Sequence, residues 1–108
     1  MSPNGVPEKK KLVAQCESAK KMLDERHYRD DRLHKLLDNI HSDATARSVA
    51  LAKRRHDYWD ELAHVTMPLR TTLGSYKEGK FDGEPTNTLT EQIHAFVGAA
   101  DDAAKAGR

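Results

Sequence analysis

The chain predicts an all-α fold, an antiparallel three-helix bundle made of a long helical hairpin and a shorter third helix. Three observations carry this. No Gly or Pro occurs from Glu8 to Met67, so nothing in that stretch obliges a helix to stop. Apolar residues recur there at alternating steps of four and three, the spacing of a buried helical stripe. Beyond a loop rich in Gly and Pro, Thr88-x-x-Glu91 opens a second apolar run in the manner of a capping box.

Residues 1–7 read as a flexible tail and 8–108 as a single helical-bundle domain, with Pro7 suited to a first helical turn. Helix 1 is expected over about 8–41. Its seam is Leu12, Cys16, Ala19, Leu23, Arg26, Asp30, Leu33, Leu37 and Ile40. Arg26 and Asp30 interrupt it with charge, a polar seam for which Arg55 and His56 are the expected facing residues. Such a layer fixes register more than it stabilises, unless helix 1 rotates so that both side chains reach solvent. Ser42 or Asp43 is the expected N-cap of helix 2, which takes Val49, Leu51, Tyr58, Trp59, Leu62, Val65, Leu69 and Leu73 over about 44–73. Pro68 should kink that helix, because Leu69 and Leu73 continue its period. Residues 74–87 form the loop, with Tyr76 and Phe81 tucked back, and helix 3 covers about 88–106.

These lengths set up the functional expectation. At ~1.5 Å per residue helix 1 is on the order of 50 Å and helix 3 under 30 Å, so helix 3 runs out near Trp59 and Arg26. The far end of the hairpin then exposes Leu33, Leu36, Leu37, Ile40 and Val49, an apolar surface that wants a partner. The alternative is that helix 1 bends and folds back, covering this end as a four-helix globule.

Composition narrows the class. With 18 basic and 17 acidic side chains the net charge is +1, which gives no general field to attract nucleic acid or an anionic membrane. No apolar run approaches the ~18 residues of a membrane span. A lone Cys16 has no internal disulfide partner, which fits a reducing compartment, and the expected location is cytoplasmic.

Five of the six histidines follow an acid by three residues: Asp24/His27, Asp31/His34, Asp38/His41, Glu61/His64 and Glu91/His94. The simplest reading is stabilising pairs on a helix surface, about 0.2–0.5 kcal/mol each. Metal is the chemical alternative, since carboxylate-bridged di-metal bundles use Glu-x-x-His. His27, Asp31, His56, Glu61 and His64 are its candidate ligands, although the helix 1 histidines are spaced too widely for two to share an ion. Arg29 and His34, in RDDRLH, resemble the Arg–His motif of HEPN-type ribonucleases, and that resemblance implies RNA cleavage at a dimer cleft. QIHAFVGAADDAAK over 92–105 resembles the last helix of BAG-type co-chaperone domains. That likeness implies a three-helix bundle binding a heat-shock chaperone through a basic residue early in the last helix; Thr86, Asn87 and Thr88 stand there instead.

The reading is therefore a non-enzymatic helical protein–protein interaction module, an adaptor or assembly unit with no catalytic site and no cofactor. It binds a protein partner or itself, a homodimer included, through Leu33, Leu36, Leu37, Ile40 and Val49, with Tyr76 and Phe81 as a second surface.

Overall fold

Each apolar stripe of the sequence becomes a helix, but the longest one is broken in a place no Gly or Pro marks. The structure is a computed structural model that describes residues 8–51, 57–76 and 83–106. Among the described residues there are four helices, α1 (Lys9–Asp24), α2 (Asp31–Leu51), α3 (Tyr58–Leu73) and α4 (Asn87–Ala106). The all-α expectation stands. The three-helix expectation does not: helix 1 is two helices, and the reversal lies at 25–30 rather than at 42–43.

The break is a helix C-terminal motif built on an arginine. The Arg26 N–H donates to the Leu23 carbonyl at 3.1 Å and the His27 N–H to that of Met22 at 2.9 Å. These two bonds define a Schellman ending, whose C′ residue adopts a left-handed conformation. That residue is Arg26, with φ of 60°, where glycine is the usual occupant. Asp30 then starts α2: its carboxylate accepts the Arg32 N–H at 2.9 Å, which satisfies one orphan donor of the new helix. Between them Tyr28 is 3% exposed and anchors the link in the core.

The expected turn at Ser42–Asp43 is helical throughout. Thr45 Oγ1 donates back to the His41 carbonyl at 2.8 Å, and Ala44 is fully buried, so the stripe simply continues. Ser42 is exposed on α2 and caps nothing. Residues 44–51, expected in helix 2, close α2 instead, and α3 begins anew where the Asp57 carboxylate accepts the Asp60 N–H at 3.0 Å. Through Pro68 the α3 helix runs on to Leu73 as one element. α4 matches the expected third helix to within a residue. Its cap is Thr86, whose Oγ1 accepts the Leu89 N–H at 3.1 Å, rather than Thr88.

Paired side chains give the order. Lys11 lies 4.0 Å from Asp43, Arg70 Nε lies 2.9 Å from Asp38, and Lys20 Nζ lies 2.7 Å from Asp101. Those pairs make α1 antiparallel to α2, α2 to α3, and α1 to α4, an up-down-up-down arrangement. The core they enclose includes Leu12, Leu33, Leu37, Ile40, Leu62, Leu69, Leu73, Leu89 and Phe96, all with no exposed surface. A Cα radius of gyration of 13.7 Å, against about 13 Å for an ordinary 100-residue domain, fits a chain folded on itself rather than one with a projecting ribbon. Among the described helices none is long and apolar enough to cross a membrane.

Candidate functional site

The surface expected at the hairpin end is largely interior. Leu33, Leu37 and Ile40 are fully buried and Leu36 is half-buried, because α1 folds back along α2 and covers the stripe that a continuous helix would have carried away from it. Of that set only Val49 is a large exposed side chain, at 77%. Tyr76 is half-buried with its ring 6.1 Å from that of Tyr28. Phe81 lies outside the described residues.

The polar seam is the helix break itself. Arg26 and Asp30 are not a layer between long helices: one ends α1 and the other caps α2. The Arg32 guanidinium hydrogen-bonded to Asp30 at 2.8 Å, together with the Arg32 backbone N–H, holds the Asp30 carboxyl below its ordinary pKa. Arg55 and His56 lie outside the described residues.

The helix 1 histidines serve the fold. His34 is buried and its Nε2 lies 2.9 Å from the Tyr28 carbonyl; a carbonyl only accepts, so that nitrogen carries the proton. The ring therefore ties the first turn of α2 to the link. His41 Nδ1 likewise donates to the Ala63 carbonyl at 3.1 Å, joining α2 to α3. His27 sits in the link, 3.5 Å from Glu25, and His64 is exposed on α3 beside Asp60. Asp31 and Glu61 are exposed on different helices. Among the described residues no three His, Cys, Asp or Glu side chains converge as a metal-ligand set. The Arg29/His34 pair offers no open imidazole, since His34 points inward to Tyr28. Cys16 is buried too, and burial pushes its thiol up to about 12, which keeps it protonated and unreactive at neutral pH.

What the fold leaves open is a groove of about 470 Å³ between the end of α1, the link and the first half of α4. It lies between α1 and α4, which pack against each other less extensively than the other neighbouring helix pairs. Leu23, Tyr28, Pro85, Ile93 and Val97 supply its apolar lining, and Ile93 and Val97 are packed on the core yet only partly buried. Lys20, Asp24, Arg26, Thr90 and His94 supply its polar lining.

Both cations there are committed. Lys20 Nζ sits 2.7 Å from both Glu17 and Asp101; burial alone would lower its pKa, but those two hydrogen bonds outweigh it and raise the value. The Arg26 guanidinium donates to the Gly83 carbonyl at 3.2 Å and lies 3.5 Å from the Glu84 carboxylate, fastening the segment before α4 to the link. Asp24 is exposed at the rim and no cation among the described residues lies within ion-pair distance of it. The sequence held one hint of this site: the apolar face of α4, with Ile93 and Val97 beside Leu89, Phe96 and Ala100, is wider than one neighbouring helix can cover. Comparisons with protein-family models, with curated proteins and with solved structures give no match.

Proposed function

We propose that this chain is a non-enzymatic helical interaction module, an adaptor or assembly unit, and that its working surface is the groove between α1 and α4. The carrying observation is that Ile93 and Val97 lie against the core yet stay partly open to solvent, in a groove with polar residues on its rim. An apolar floor with a few polar groups around it is the ordinary anatomy of a recognition site, and an amphipathic segment laid between two helices is a recurring mode of binding. The partner is another protein or a second copy of the chain, acting in the cytoplasm; a chain with the single cysteine Cys16 suits a reducing compartment.

A photo-crosslinking amino acid at Thr90, on the groove, and separately at Asn39, exposed on α2, tests this in native lysate. A discrete crosslinked product is expected from Thr90 and not from Asn39. Crosslinking from neither position, or equally from both, removes the groove as the binding surface.

A further inference from the structure

The break between α1 and α2 is a bend in an otherwise continuous stripe. Seam positions fall in pairs equidistant from Tyr28: Cys16 with Ile40, Ala19 with Leu37, Leu23 with Leu33 and, at the centre, Arg26 with Asp30. The first three pairs are buried. α1 runs antiparallel to α2, with Lys11 against Asp43, so folding at the link brings the members of each pair to about one level. The linking residues 25–30, ERHYRD, contain no Gly or Pro and hold Arg26 at φ 60°, a conformation an arginine adopts at a cost. α1 is also the least extensively packed of the four described helices, and its release breaks only the one connection to α2. A short, strained hinge that carries an outer element invites exchange of that element between copies.

We infer that two copies of this chain exchange α1. In the exchanged dimer residues 25–30 are helical, 9–51 is one helix in each copy, and the two long helices lie antiparallel about a two-fold axis at Tyr28. α1 of each copy packs on α2 and α4 of the other, so each half of the dimer is the same four-helix unit. Seam pairs equidistant from Tyr28 match as well between copies as within one. Arg26 of one copy then stands level with Asp30 of the other, twice across the axis, which gives the two charged seam positions opposite-sign partners. What is given up is local: the hold of Arg26 on Gly83 and Glu84, the Asp30–Arg32 bonds and the His34 bond to the Tyr28 carbonyl. Those bonds and the buried Tyr28 ring hold the closed form in dilute solution, and mass action favours the dimer as concentration rises. The exchange does not depend on the groove, which returns to the same place in either form.

Equal amounts of isotopically light and heavy full chain are unfolded, refolded together at high concentration, and separated into monomer and dimer by size-exclusion chromatography. A carbodiimide then joins Lys20 on α1 to Asp101 on α4, whose charged atoms lie 2.7 Å apart, and the joined peptides are read by mass spectrometry. The monomer should give Lys20–Asp101 pairs of one isotope only, and the dimer equal shares of single-isotope and mixed pairs. By sedimentation equilibrium the Arg26→Ala dimer should be about a hundredfold tighter than the Arg26→Gly dimer, because glycine favours the left-handed link, alanine favours the helix, and each dimer carries two links. A dimer whose pairs are all of one isotope is a surface contact between closed monomers and overturns the exchange. A wild-type chain that stays monomeric overturns it too, and equal dimer affinities in the two Arg26 variants overturn the continuous helix on which it depends.

Discussion

Replacing Arg26 by Gly and by Ala separates a helix break from a continuous helix by the sign of one difference. Arg26→Ala keeps a Cβ in the left-handed conformation (φ 60°) and loses the guanidinium contacts to Gly83 and Glu84. The Arg26 side chain is 39% exposed, so that loss is a surface interaction worth about 0–1 kcal/mol. Arg26→Gly loses the same contacts but removes the left-handed penalty of roughly 1–2 kcal/mol. Glycine's greater freedom in the unfolded chain returns about 0.4–1 kcal/mol of that. The net is a Gly variant more stable than the Ala variant by roughly 0.5–1 kcal/mol. In an uninterrupted helix the same comparison runs the other way, with Gly about 1 kcal/mol worse than Ala. Urea unfolding followed by far-ultraviolet circular dichroism resolves the difference if m is the same in both variants, and in a heat melt it amounts to several degrees at this chain length. An Arg26→Gly protein less stable than Arg26→Ala would refute the Schellman ending at 22–27, and with it the fold-back of α1.

Leu37→Ala should lower unfolding stability by about 2–5 kcal/mol, the loss of a fully buried leucine; a change within ~0.5 kcal/mol in urea unfolding would mean the side chain sits on the surface. Because the Asp30 carboxyl is held below its ordinary pKa by Arg32, its contribution is complete above pH ~4 and fades as acid protonates it in the fold. Asp30→Asn should therefore narrow the stability gap between pH 7 and pH 3, and an unchanged gap counts against the pairing. Cys16, buried and with its thiol raised to about 12, should resist alkylation by iodoacetamide in the native protein and react in denaturant, as read by mass spectrometry; fast native labelling would place it elsewhere.

The seam residues of the sequence are core residues in the fold: Leu12, Cys16, Ala19 and Leu23 before the break and Leu33, Leu37 and Ile40 after it are all buried. Helical periodicity recovers which side chains face inward because burial selects them on either side of a turn. It does not report the turn, since a six-residue link leaves the two stripes nearly in phase when numbered straight through. The signal that was present is the pair of charged residues at Arg26 and Asp30, in seam positions where a continuous buried helix would put apolar groups. A Gly at 26 would have marked the C-terminus plainly; an arginine there is chemically silent until the backbone is seen. Conversely, Ser42 and Asp43 look like a cap by residue type, yet the stripe carries on through buried Ala44, Arg47 and Ser48, and packing outweighs the local preference of two cap-forming residues.

The same displacement of the break moves the candidate site. Had α1 and α2 been one helix, the leucines of 33–40 would lie exposed, with the surface between residues 20–28 and α4 buried deep in a hairpin. Folding α1 back uses those leucines to build the core and spends its C-terminal turn against α4, whose face is too broad for α3 alone. Arg26 stands at the junction of both consequences. Its backbone turns the chain back, and its side chain reaches Gly83 and Glu84 to fix the approach to α4. The residue that ends α1 is therefore also one that lines the groove and fastens the segment before α4 to the link.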